Sequence, residues 1–163
     1  MSAWQDPTAS ERLQIIRSTS SVAIVGMSVN PSRASYFVAT YLLSSSCSFE
    51  HVWFVNPKGG EIFDRPIYPS LADLPCVPDL VDVFRRTDDL PSVAEEFVAI
   101  PGTKTFWAQL GLRSAEAVEI VTNAGRAAVM DRCLKIEHAR FGGGLHMAGF
   151  DTGVISSRRR PPI

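Results

Sequence analysis

The hydrophobic positions of this chain fall into short continuous runs separated by stretches of helical spacing. Residues 22–26 form an apolar run closed by Gly26, which predicts a strand buried on both faces. Asn30, Pro31 and Ser32 supply turn and cap chemistry, and Tyr36, Val38, Ala39, Leu42 and Leu43 then recur at helical spacing within residues 34–45. A second strand is predicted at 51–55, broken by Asn56, Pro57, Lys58, Gly59 and Gly60. Further strands are predicted at 80–84, 104–108 and 126–130, with helices near 91–99 and 114–124 between them. Ahead of all these, residues 8–17 read as a short helix capped by Thr8 or Ser10. Residues 62–68 suit a short edge strand and 70–73 a single helical turn.

Strands that alternate with helices make a mostly parallel sheet, because each parallel crossover needs a helix and the right-handed crossover lays it back on the sheet. The expected fold is α/β: a Rossmann-like, doubly wound sheet with helices on both faces, in one domain. Residues 1–19 are expected to pack as a helix on a domain spanning 20–141. Residues 142–163 lack periodicity, and with Arg158, Arg159 and Arg160 they read as an extended tail.

Composition narrows the function classes. A length of 163 residues suits one core and leaves no room for a second catalytic domain. The formal net charge of -1 and 20% charged residues give no global electrostatic case for a nucleic-acid or membrane partner. No run approaches the roughly 18 apolar residues of a membrane span, and the polar N-terminus is unlike a signal peptide, so a cytoplasmic location is expected. Cys47, Cys76 and Cys133 are odd in number and lack C-x-x-C spacing, which argues against a disulfide framework or a zinc site.

In an open parallel sheet, ligands sit beyond the carboxyl ends of the strands. After the first strand stand Gly26, Ser28, Ser32 and Arg33, where glycine lets backbone approach a ligand and a helix N-terminus offers N–H groups to phosphate. A valine at position 26 is therefore expected to block a pyrophosphate while leaving the fold intact. Only one glycine of the dinucleotide fingerprint is present, and a plain turn remains open as the alternative. After the second strand comes Lys58 where NAD enzymes place an acid; this favours a phosphorylated ribose, as in coenzyme A or NADP, against a merely solvated lysine. Phe84, Arg85 and Arg86 follow the next strand and add cations to the same edge. Cys133 follows the strand predicted at 126–130, three strand spacings from the first, on the order of 14 Å at 4.8 Å each. Flanked by Arg132 and Lys135, it is placed to form a mixed disulfide with a thiol ligand, against a small buried packing residue.

No Ser-His-Asp or Cys-His pairing and no metal cluster is suggested. His51, His138 and His146 read as surface or tail residues, and Asp88, Asp89, Glu95 and Glu96 as solvated charge. The chain is expected not to be an enzyme by itself.

At these residues the sequence resembles the standalone coenzyme A-binding domain family, related to the coenzyme A domain of the succinyl-CoA synthetase alpha subunit. The blocks that carry the resemblance are 22–33 with Ser35 and Tyr36, 55–58, 68–73, 81–86, 107–111 and 129–137. Ala108 and Leu134 depart from the family pattern, which often has methionine and proline there. The resemblance implies that Gly26, Met27, Ser28, Asn30, Arg33 and Tyr36 belong to the loop and helix receiving the pyrophosphate, and that Asn56, Pro57 and Lys58 surround the adenosine and its 3′-phosphate. It further implies that Phe84, Arg85 and Arg86 line the opposite wall, and that Trp107 and Gln109 face the pantetheine arm. The synthetase's second domain with its phosphorylated histidine has no counterpart, so ligase activity is not carried over. The expected role is noncatalytic binding of coenzyme A or an acyl-CoA as a carrier, sensor or subunit. The alternatives are an NADP-binding oxidoreductase fragment or a structural oligomerisation module, a homodimer being common for such small domains and left undecided by the sequence.

Overall fold

The computed structural model describes residues 3–141; the predicted tail at 142–163, with His146 and Arg158 to Arg160, lies outside the described residues. The chain enters through α1 (Ala9–Arg17). Thr8 begins it with a reciprocal cap: its hydroxyl accepts from the Glu11 N–H at 3.2 Å, and the Glu11 carboxylate accepts from the Thr8 N–H at 2.8 Å. Thr8, not Ser10, is thus the cap.

Next come β1 (Ser21–Val25), α2 (Ala34–Leu42) and β2 (His51–Val55), the first parallel crossover. The helix stops at Leu42, three residues earlier than its pattern suggests. A serine run follows, and the Ser44 hydroxyl takes the Tyr41 carbonyl at 2.6 Å, which offers the backbone an alternative to further helical turns. The predicted edge strand proves to be a hairpin of β3 (Glu61–Ile62) and β4 (Arg65–Tyr68), turned by Phe63 and Asp64 at φ 54° and 58°. The remaining strands and α-helices are β5 (Leu80–Val83), α3 (Leu90–Val98), β6 (Thr105–Ala108), α4 (Ala115–Asn123), β7 (Ala127–Val129) and α5 (Leu134–Phe141), with short 3-10 turns at Leu71–Asp73, where a single helical turn is expected, and at Thr87–Asp89.

The sheet runs β3-β4-β2-β1-β5-β6-β7, and every pairing except β3 with β4 is parallel. The chain lays down strands to one side of β1, then returns to its other side at β5, so the order reverses between β1 and β5. Such a reversal opens a crevice, because the helices on either side of it leave in opposite directions.

Two apolar layers cover the sheet. On one face Leu13 and Ile16 of α1, Val38 and Leu42 of α2, and Leu134 and Phe141 of α5 pack on Val22, Ile24, Phe54 and Trp107. On the other, Leu90, Val93 and Phe97 of α3 and Val118 and Val121 of α4 pack on Val25, Val81, Val83 and Phe106. Because side chains alternate along β5, Asp82 points to the same face as Leu80. It is fully buried between Ile24 and Trp107 in register, and neither of its oxygens has a hydrogen-bond partner among the described residues. Burial pushes its carboxyl well above the usual carboxylate range, so it is held as the neutral acid.

His138, read from sequence as a surface residue, is fully buried. Its ring shares hydrogen bonds with the Tyr41 hydroxyl at 2.7 Å and the Ser48 hydroxyl at 2.9 Å, and Phe49 packs edge-on against it. It faces inward because it shares one side of α5 with Leu134 and Phe141. His51 is exposed at the start of β2 and stacks on Trp53. Among the described residues no helix is long and apolar enough to cross a membrane.

Candidate cofactor cleft

A cleft of about 730 Å³ opens at the carboxyl ends of β1, β5 and β6, where the strand order reverses. Its near wall is the loop after β1 and the start of α2: Gly26, Ser28, Arg33, Ala34 and Ser35, with Phe37 and Val38 one turn on. Phe84 and Arg85 come from the end of β5, and Gln109, Leu110 and Leu112 from the end of β6. Cys133, Lys135 and Ile136 close the far side at the start of α5.

Local bonds fix the near wall. The Ser35 hydroxyl accepts from the Ser28 N–H at 3.0 Å, and the Asn30 carboxamide oxygen accepts from the Ser32 N–H at 3.0 Å and its hydroxyl at 2.8 Å. Asn30 is thus the turn former that delivers the chain to Arg33, the residue preceding α2. At Ala34 and Ser35 the helix presents N–H groups with no preceding turn to accept them, and these face the cleft end of α2.

The far wall is held by β6 and the segment after β7. The Asp131 N–H donates to the Leu112 carbonyl at 3.0 Å, and the Asp131 carboxylate accepts from the Gly111 N–H at 2.6 Å. The Trp107 indole N–H donates to the Arg132 carbonyl at 2.8 Å, and the Gln109 side-chain oxygen accepts from the Leu134 N–H at 3.0 Å, capping α5. Residues 131–134 are therefore tied to the β6 end at several points, which orients Cys133.

Electrostatically the cleft is one-sided. Arg33, Arg85 and Lys135 line it, and no carboxylate does among the described residues. Arg85 is partly committed: with the mostly exposed Arg86 it shares Asp89, each at 3.5 Å. That acid, expected to be merely solvated, holds both arginines near the end of β5. An apolar rim complements the cations, since Phe37, Leu110 and Ile136 stay exposed beside the cleft.

Of the residues singled out from sequence, the structure brings together Gly26, Ser28, Arg33, Phe84, Arg85, Gln109 and Cys133. Two others turn away from it. Trp107 is fully buried, because its position in β6 faces the α1, α2 and α5 layer, and its indole N–H is spent on Arg132. Met27 is 1% exposed and packs in the same layer. Asn56 acts on the backbone: its amide donates to the Met27 carbonyl at 2.8 Å and its oxygen accepts from the Lys58 N–H at 2.9 Å. Pro57 and Lys58 stand exposed on the neighbouring turn, outside the cleft lining, and Tyr36 packs on Phe63 with ring centroids 5.0 Å apart. Gly26 also corrects its expectation. Its φ is +88°, and a Cβ there would lie 2.2 Å from the Phe84 carbonyl oxygen, so a valine disturbs backbone and cannot act on a ligand alone.

Sequence reasoning missed Ser35, Phe37, Leu110, Leu112 and Ile136. A signal existed for Phe37: it falls off the Val38, Ala39 and Leu42 stripe of α2 and so belongs to its open side. Among the described residues no group of three His, Cys, Asp or Glu is arranged to hold a metal ion.

Comparison with known proteins adds the family. Residues 20–139 match the family described as the CoA binding domain. The chain is 36% identical over 135 residues to the uncharacterised protein YneT of Bacillus subtilis, covering 83% of this chain and 97% of that one. A solved structure of a hypothetical protein from Pyrococcus horikoshii superposes with a TM-score of 0.77 at 30% identity, covering 88% of this chain and 100% of its own. A Thermus thermophilus structure gives a TM-score of 0.74 at 32% identity, covering 82% and 98%.

Proposed function

Because this chain belongs to the CoA-binding domain family, we propose that its cleft holds coenzyme A or an acyl-CoA in a noncatalytic role, as a carrier, a sensor or a subunit of a larger assembly. The observation that carries this reading is the cleft's charge: three cations and no carboxylate among its described lining residues. Coenzyme A brings a pyrophosphate and a 3′-phosphate, and charge-assisted hydrogen bonds from arginine and lysine are the strong ones for such groups. Arg33 and the free N–H groups opening α2 take the pyrophosphate, where the helix dipole adds to the attraction. Lys58, on the turn after β2, reaches for the 3′-phosphate from outside the cleft proper. The pantetheine arm then runs along Gln109 toward Cys133, with Phe37, Leu110 and Ile136 covering it or an attached acyl chain. At about 730 Å³ the cleft is of ordinary size for an organic ligand.

Titration of the purified chain with coenzyme A, acetyl-CoA, 3′-dephospho-coenzyme A, NADP and NAD tests the reading. Coenzyme A is expected to bind at least about tenfold more tightly than NADP, a gap of about 1.4 kcal/mol. Tight NADP binding with no response to coenzyme A overturns it in favour of an oxidoreductase fragment.

A further inference from the structure

We propose, resting on coenzyme A occupancy of the cleft, that Cys133 is a thiol–disulfide exchange site for coenzyme A disulfide. The Cys133 sulfur attacks one sulfur of the disulfide, the old S–S bond breaks, and one coenzyme A stays on the protein as a mixed disulfide. The other coenzyme A leaves as a thiolate and takes a proton, while the proton from Cys133 passes to water. The disulfide supplies the oxidising equivalent, so no further oxidant enters.

Three observations converge on this residue. Cys133 is half-buried and lines the same cleft as Arg33, at the wall opposite the first loop. The hydrogen bonds from Asp131, Arg132 and Leu134 to the β6 end fix the backbone on both sides of it. Gln109 supplies the independent pointer to a ligand. It is 5% exposed, it lines the cleft, and its oxygen is taken by the Leu134 N–H. Its Nε2 has no hydrogen-bond partner among the described residues. This nitrogen is open to the cleft and not sealed in the core, so it can donate to a ligand there, and the pantetheine arm carries amide carbonyls on the way to its thiol. A donor placed beside a thiol in this way suits an arm that ends in sulfur.

The other two thiols provide the contrast. Cys47 packs 3.8 Å from the His138 ring, and burial pushes its thiol pKa up, which keeps it protonated. Cys76 is exposed and lies outside the cleft. An untargeted oxidant therefore meets Cys76 first, whereas an oxidant delivered by the cleft meets Cys133.

The experiment incubates the reduced protein with coenzyme A disulfide and, separately, with oxidised glutathione at equal concentration, and maps adducts by peptide mass spectrometry. Binding of reduced coenzyme A is measured in parallel. The expected result is a coenzyme A adduct on Cys133 that forms at least about tenfold faster than the glutathione adduct, because binding raises the local concentration of the disulfide. Cys76 should show no such preference, and Cys76→Ser should keep the Cys133 adduct. Binding of reduced coenzyme A without an adduct on Cys133, or equal rates with the two disulfides, overturns the exchange site and leaves the binding reading standing. Absence of any coenzyme A binding overturns the binding reading, and the exchange site with it.

Discussion

The α-carbon of Gly26 faces the carbonyl of Phe84 so closely that a Cβ would sit 2.2 Å from the oxygen and 2.9 Å from the carbon. The Phe84 N–H bonds the Val25 carbonyl at 2.8 Å on the same junction, so β1 and β5 are joined where the strand order reverses. Gly26→Ala meets both a backbone collision and a φ of +88° that an L side chain rarely adopts. It is expected to destabilise the fold by more than about 2 kcal/mol, read by urea denaturation. A variant as stable as the wild type would show that the junction relaxes and that glycine is there for another reason.

The same junction shows what the sequence could and could not say. The strands were legible because β1, β5 and β6 are short runs that are apolar apart from Asp82 in β5 and the opening Ser21 and Thr105, and a sheet covered on both faces demands nearly that pattern. The β3-β4 hairpin was blurred because its turn uses Phe63 and Asp64 at positive φ without the glycine that usually marks such a turn. Arg33, Arg85 and Cys133 were legible as residues beyond strand ends, which is where topology puts a ligand. Trp107 was set on the pantetheine arm by the resemblance, which matches residues and not side-chain direction: along β6 one residue decides whether a side chain meets the cleft or the core. That Gly26 serves the backbone of Phe84, just past the end of β5, depends on a residue far downstream, and no local pattern records such a contact.

Charge reversal at two positions separates the two phosphate groups of coenzyme A. Arg33 lines the cleft, whereas Lys58 stands outside it on the next turn. Arg33→Glu is expected to weaken coenzyme A and 3′-dephospho-coenzyme A alike, by about tenfold or more, since a charge-assisted bond contributes about 1.5–3 kcal/mol. Lys58→Glu is expected to weaken coenzyme A by a similar factor and the dephospho form far less. Equal losses for both ligands in the Lys58 variant would remove that lysine from the 3′-phosphate.

Asp82 makes stability fall as pH rises. Buried without a partner, its carboxyl is protonated in the fold well above the pH at which the unfolded chain ionises, near 3.9. Between those two values the folded state binds one proton more than the unfolded state. This group then lowers unfolding free energy by about 1.4 kcal/mol for each pH unit gained. Asp82→Asn keeps the size and removes the titration, so its urea midpoint should lose that downward slope. An unchanged slope would show that Asp82 is ionised in the fold and has found a partner.

His138 works in the opposite direction and governs the acid side. Burial lowers its pKa below the ordinary 6.5, so the ring stays neutral in the fold while the unfolded chain takes up a proton. As pH falls from about 6.5 toward the lowered folded value, the unfolded state binds the extra proton, and stability drops by about 1.4 kcal/mol per unit until the folded ring also protonates. Above that window the full stability is present. Neutral imidazole has one donor and one acceptor: Nε2 accepts from the Ser48 N–H at 3.4 Å, which leaves Nδ1–H to donate to the Tyr41 hydroxyl, and a second ring proton on Nε2 would point at that backbone donor. Asp82→Asn removes the opposing carboxyl slope, and denaturation above about pH 5 then reads the histidine apart from Glu11 and Asp79, whose lowered carboxyl pKa values act at more acid pH. Stability of that variant should rise through the acid range and level off near pH 6.5, and the His138 ring resonances should titrate below the free-histidine value. A His138 that titrates at or above the ordinary value would mean that its charged form is accommodated among Tyr41, Cys47 and Ser48, and that acid stability is set elsewhere.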